Sequence, residues 1–169
     1  MVMLSDVSEP AWDRSRCSVA GTLAVIGEKW SLLVLREAFF GVRRFADFQR
    51  VLGAPKAVLS DRLATLVEQG ILARVPYQPE GERQRHEYRL TTKGRDLYPT
   101  LVALMQWGDT YLSDGPPPLE LQHRDCGAAV HLELHCEAGH AVAGPREVQP
   151  VRAVGGTAVA VSPGALAGR

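Results

Sequence analysis

The chain has 169 residues, 46% of them hydrophobic, and its 19 basic and 19 acidic side chains cancel to a formal net charge of zero. That length supports one ordinary core plus an appendage, and no apolar run approaches the ~20 residues of a membrane-spanning helix. Three cysteines, an odd number, argue against a disulfide framework. The opening MVMLSDVSEPAWDRSR lacks the basic start and apolar segment of a secretion signal, so a cytoplasmic protein without a membrane partner is expected.

The neutral total hides an uneven distribution. Arg14 to Arg95 holds 15 Lys and Arg against 8 Asp and Glu, a balance of +7, and the remainder carries −7. A basic centre between acidic ends fits a compact nucleic-acid module with separate tails.

Residues 1–16 are polar and read as a flexible arm. Ser18 to Ile26 has helical spacing and stops at Gly27, a residue that tolerates the backbone of a helix end. A second helix runs from Lys29 or Trp30 to Phe40 and stops at Gly41. Trp30, Leu33, Val34 and Phe40 can all reach a core, with Trp30 as a packing anchor between helices.

Arg43 and Arg44 follow, suited to phosphate oxygens by their forked donors and equally ordinary as solubilising residues. Phe45, Phe48 and Leu52 then share one face of a short helix. Gly53-Ala54-Pro55 breaks the chain. Leu59, Leu63, Leu66 and Val67 form the apolar stripe of the next helix. Its opposite face carries Lys56, Ala57, Ser60 and Asp61, and this pair is a helix-turn-helix pattern. Ile71 to Tyr77 and Arg85 to Leu90 read as strands around the polar loop Gln78 to Gln84, a hairpin with a basic tip. A helix-turn-helix followed by such a hairpin is a winged helix, and double-stranded DNA is its expected partner.

On this reading Lys56, Ala57, Ser60, Asp61 and Arg62 face the major groove. Arg44, Arg83 and Arg85 supply backbone contacts, helped by Gln84 and His86 and diluted by Glu80 and Glu82. Beyond Asp96, the residues Leu97, Leu101, Leu104, Met105, Gly108 and Leu112 fall on a helical stripe. Pro99 sits near its first turn, and the helix should end by Asp114 to Pro118. So broad an apolar face outside a small winged helix predicts a homodimer.

The fold expected is therefore mainly α with a small β-hairpin wing (α+β). A winged helix-turn-helix and dimerisation domain spans residues 17–114. A small C-terminal β-hairpin appendage, zinc-ribbon-like in layout, spans 115–145, and a flexible tail of no assigned role spans 146–169.

Residues from Cys17 to Gly108 also resemble the HxlR-type winged helix-turn-helix regulators, relatives of the MarR group. The resemblance rests on Cys17 and Leu23 to Trp30, on Arg44-Phe45, on Leu59 to Leu63, and on Glu68 to Ile71. It continues through Tyr88 to Gly94 and Trp107-Gly108. It implies a dimeric transcription regulator, commonly a repressor that leaves its promoter on a signal. The chain departs from the family at Ala54, where a Ser or Thr usually caps the recognition helix.

The resemblance also implies a role for Cys17, since several members carry a redox- or electrophile-sensing cysteine there. Arg14, Arg16 and the following helix N-terminus would favour its thiolate; inert packing is the plainer alternative. The appendage adds His123-x2-Cys126 and Cys136-x3-His140 on either side of Val130 to Leu134, which alternates like a strand. Two ligand pairs at the ends of a hairpin suit tetrahedral zinc, although Cys126 and Cys136 could instead bond to each other or stay free. Otherwise no cofactor is expected. With no phosphate-binding glycine loop and no nucleophile elbow, an enzyme is not expected. A winged-helix protein-interaction module and a metal-sensing regulator are the alternatives to a redox- or small-molecule-responsive DNA-binding protein.

Overall fold

The computed structural model describes residues 16–78, 81, 83–154 and 157–160. They fall into two compact units, Val19–Leu132 and a second one made of Glu133 onward with the first described residues through Ser18.

The larger unit is built on four helices: α1 (Ser18–Ile26), α2 (Lys29–Phe39), α3 (Phe45–Leu52) and α4 (Lys56–Glu68). The wing follows as β1 (Leu72–Tyr77) and β2 (Arg85–Leu90), then come a single-turn α5 (Thr92–Arg95) and the long α6 (Tyr98–Tyr111). Val34 and Leu35 of α2, Phe48 of α3 and Leu59, Leu63 and Leu66 of α4 are fully buried. On α4 these side chains recur every three or four residues, so the helix turns one stripe toward the shared core. The sequence expectation needs two amendments on α2. Leu35 takes a fully buried place, and Phe40 lies beyond the helix end and is 46% exposed. Phe39 does the packing instead, its ring 5.0 Å from that of Tyr98. Trp30 is half-buried against the core as expected, with the Lys29 ammonium 5.0 Å from its ring.

β1 and β2 pair antiparallel from Leu72–Leu90 at the base to Tyr77–Arg85 at the tip. The base is anchored from two sides. Tyr88 N–H donates to the Arg43 carbonyl at 2.7 Å, which ties the segment before α3 to β2. The Thr91 hydroxyl reaches the Gly70 and Ile71 carbonyls at 2.7 and 3.1 Å, and Lys93 Nζ reaches the Gln69 carbonyl at 2.7 Å. The wing is thereby fixed to the C-terminal end of α4.

Helix α6 begins with Pro99 in its first turn, where a missing N–H costs nothing. Only Leu101 and Val102 of this helix are buried. Leu104, Trp107, Tyr111 and Leu112 are 50%, 56%, 69% and 73% exposed. Val19 and Leu23 of α1 are exposed as well. No single described helix is long and apolar enough to cross a membrane.

Past α6 there are two turns where one hairpin was expected, and of the run Val130 to Leu134 expected as a strand, Val130 to Glu133 is not one and only Leu134 is. The first turn is closed by the bridge between Gln122 and Ala129 and belongs to the larger unit. Gln106 of α6 holds its exit, donating to the Val130 carbonyl and accepting from Leu132 N–H, both at 3.1 Å.

In the smaller unit, β3 (Leu134–His135) pairs with β4 (Ala141–Val142), which makes the second turn. The tail expected to be flexible from residue 146 carries two further paired strands, β5 (Val151–Val154) and β6 (Thr157–Ala160). Runs of Val, Thr and Ala separated by Gly155-Gly156 form a hairpin signal that the composition of the tail obscures.

Candidate nucleic-acid interface

Helix α4 presents two unlike faces. Leu59, Leu63 and Leu66 point into the core, and Lys56, Ala57, Ser60, Asp61 and Ala64 are exposed on the other side. The turn before it works by a different route from the side-chain cap the family usually has. Gly53 ends α3 in the left-handed conformation at φ 62°, and its N–H donates to the Gln49 carbonyl at 3.0 Å. Pro55 is the N-cap residue rather than the first helical one, and its carbonyl accepts from Leu59 N–H at 2.9 Å. Ala54 is only 4% exposed. A methyl group there seals the core, in place of a hydroxyl that would bond the first turn.

The other predicted residues are distributed as follows. Arg62 is less exposed than its groove-face neighbours, and its guanidinium pairs with the Asp61 carboxylate. That pairing engages the carboxylate of a residue expected on the groove face. Arg44 is exposed, and its guanidinium carbon stacks 4.7 Å from the centre of the Tyr77 ring near the wing tip. Arg43 and Arg50 share a shallow depression with it, together with Asp47 and Glu87. Arg50 is paired with Asp47 at 2.8 Å, and the buried Glu87 pairs with Arg89. On the wing, Arg83, Gln84, Arg85 and His86 are exposed. Glu80 and Glu82 lie outside the described residues.

One further basic residue lies beside this face. Arg74 of β1 stands opposite Tyr88 in the strand register. The two line a depression with Ser60, Ala64, Val67 and Glu68 of α4. Arg74 therefore sits where the wing adjoins α4 beside Ser60 and Ala64. The signal was present in the alternation of β1, whose even-numbered residues from Arg74 on face solvent.

Cys17 is a free, half-buried thiol immediately before α1, and Arg16 beside it is exposed. Arg14 lies outside the described residues. Cys126 and Cys136 are free too, so the bond between them that the sequence allowed is not formed. Each instead neighbours the histidine of its own turn. Cys126 Sγ is 3.3 Å from His123 Nδ1, and Cys136 Sγ is 3.5 Å from His140 Nδ1. Among the described residues, no group of three or more His, Cys, Asp or Glu is gathered as a metal set.

The HxlR-like helix-turn-helix family model matches residues 25–116. An uncharacterized HTH-type transcriptional regulator of Mycobacterium tuberculosis is 54% identical over 121 residues, 70% of this chain and 75% of its own. Among solved structures, that of PA1607, a candidate transcription factor, is similar at a TM-score of 0.73 and 40% identity, covering 82% of this chain and 96% of that one. The redox regulator HypR in its reduced form is similar at a TM-score of 0.52 and 31% identity, over 57% of this chain and 95% of that one. Winged helix, exposed α4 face and family match agree: the chain belongs to the HxlR-like helix-turn-helix family of DNA-binding transcriptional regulators.

Proposed function

We propose that the protein is a dimeric, cytoplasmic repressor that grips an operator with two copies of α4 and releases it when Cys17 is oxidised or alkylated, or when a small molecule binds. One observation carries the DNA-reading part. The exposed face of α4 holds small and polar side chains on a helix whose other face is fully buried, with arginines on both flanks.

Lys56 at the start of α4 reaches a phosphate or a guanine edge, Ser60 a phosphate or a base, and Ala57 a thymine methyl. Asp61 accepts from cytosine only when it leaves Arg62; while paired, it is shielded from repelling phosphates. Arg44, Arg83 and Arg85 bind backbone phosphates and set register without choosing sequence. Arg74 joins that set from the flank of α4.

The exposed apolar residues of α6 and α1 support a dimer, because a surface of that kind is stable in water when a second copy covers it. Two recognition helices about 34 Å apart would enter successive major grooves on one side of the duplex. The likeness to a redox regulator supports the thiol as the input, together with the position of Cys17 at the head of α1.

The test is a selection of bound duplexes from a random pool, with and without oxidant, followed by salt titration on the DNA upstream of the protein's own gene. A pseudo-palindromic site with a steep salt dependence, lost on oxidation, is the expected result. Absence of binding to any duplex at low ionic strength would end the reading.

A further inference from the structure

Two of the chain's three cysteines and four of its five histidines fall within residues 123–140, outside the winged helix, and two of those histidines, His123 and His140, each neighbour one of the cysteines, Cys126 and Cys136. They lie on two turns of similar construction. In the first, His123 N–H donates to the Ala128 carbonyl and Gly127 N–H to the His123 carbonyl, both at 2.8 Å, with Gly127 at φ 69°. In the second, Cys136 N–H donates to the His140 carbonyl at 3.0 Å and Gly139 N–H to the Cys136 carbonyl at 2.9 Å, with Gly139 at φ 83°. Each glycine takes a left-handed backbone that a side chain would strain. The tight return brings one thiol and one imidazole to the same end of each turn.

The spacing within each pair is the telling quantity. Zinc binds sulfur at about 2.3 Å and imidazole nitrogen at about 2.0–2.1 Å, so two corners of a tetrahedron around it are about 3.5 Å apart. The observed separations are 3.3 Å for Cys126 and His123 and 3.5 Å for Cys136 and His140. Both pairs use Nδ1, and all four residues are exposed. A thiol–imidazole hydrogen bond has a similar length. At an exposed site, however, it competes with water and contributes little net stability. The same donor pair built twice, on two glycine-closed turns, fits a shared ligand chemistry better.

We propose that the His123–Cys126 and Cys136–His140 turns are each a preformed two-donor edge for a thiophilic divalent cation, zinc above all. Each edge fills two corners of the ion's tetrahedron and leaves two for other ligands. Binding converts a thiol to a zinc thiolate and releases its proton to solvent, so uptake acidifies an unbuffered solution. The first edge is tied to the winged-helix unit through Gln106 of α6.

The untagged full-length protein, reduced and freed of metal, is titrated with cobalt(II) and then with zinc. Growth of sulfur-to-cobalt charge-transfer absorption, its displacement by zinc and a measured proton release are expected. Cys126→Ser and Cys136→Ser should each lower the band, and Cys17→Ser should leave it intact. The band height per bound ion counts thiolates, and either one or two supports the proposal. Uptake of less than about a tenth of an equivalent overturns it, as does undiminished binding by the Cys126→Ser/Cys136→Ser double variant. Unchanged alkylation rates of Cys126 and Cys136 with zinc present would reduce the pairs to hydrogen bonds and also overturn it. Operator affinity measured on the same samples reports the winged helix separately, so loss of metal with DNA binding retained bears on the four donors alone.

Discussion

The carbonyl oxygen of Ile71 lies so close over Gly94 that a Cβ there would intrude far inside the 3.0 Å that real contacts respect. The same carbonyl accepts from the Thr91 hydroxyl, and that hydroxyl accepts from Gly94 N–H, each at 3.1 Å. The Thr-Thr-Lys-Gly run thus clips the end of β2 to the start of β1. Gly94→Ala should destabilise the fold by about 1–3 kcal/mol, because backbone must move to make room. Gly115→Ala, with nothing near the added carbon, should stay within about 0.5 kcal/mol of the parent. Urea denaturation compares the two. Equal midpoints would show that the clip does not demand glycine.

Arg85 lies opposite Tyr77 in the strand register, and Arg44 stacks on that same Tyr77 ring. Both belong to the set expected to bind phosphate. Arg85→Ala should weaken binding to all duplexes alike and reduce the salt slope by about 1. Arg74→Ala should do the same if the depression beside Ser60 follows the DNA backbone. A preserved salt slope removes the residue concerned from the phosphate set.

Ser60 and Ala57 predict a different kind of loss. They stand on the exposed face of α4, where the proposed function has contacts distinguish bases. Ser60→Ala should cost about 1–3 kcal/mol on the selected operator and much less on random duplex, if its hydroxyl reads a base. Competition binding with both DNAs gives the ratio. An equal loss on both would assign Ser60 to phosphate instead.

Much of the layout of this surface could be read from the residues because α3, α4 and the wing obey simple periods. Leu59, Leu63 and Leu66 recur at helical spacing, so burying them forces Ala57, Asp61 and Ala64 outward, while Lys56 is exposed as the first residue of the helix. Where a single residue decides, the pattern was weaker. Phe39 and Phe40 are equally apolar, and only the exact end of α2 puts the first inside and the second out. Ala54 looked like a missing cap because the sequence does not show that its methyl group is buried. The Cys and His pairs were visible as spacing. Their assignment to two separate turns depends on Gly127 and Gly139 adopting positive φ, which glycine permits but does not require.

Leu104, Trp107 and Tyr111 follow one another at intervals of three and four along α6, hence on one face, and all are exposed. If a second copy covers them, Trp107→Glu places a charge in that contact and should give monomers in sedimentation equilibrium. The monomer should keep its helical content and bind a single half-site weakly. A parent protein that is monomeric at all working concentrations would remove the dimer from the proposal.

Cys17 offers the sharpest test of signalling. It is half-buried directly ahead of the nine-residue α1, with Arg16 beside it. It is the thiol proposed to react with peroxide or an alkylating agent. In a Cys126→Ser/Cys136→Ser background Cys17 is the sole thiol, so its alkylation rate can be read without ambiguity. It should exceed that of a free thiol at neutral pH. Peroxide should convert it to the sulfenic acid, taking one oxygen from peroxide and leaving water. Operator affinity should fall in step with that conversion and recover on reduction. Cys17→Ser should bind the operator as the reduced protein does and ignore peroxide. A Cys17 no faster than the free thiol, or a serine variant that still releases DNA on oxidation, would place the signal elsewhere in the molecule.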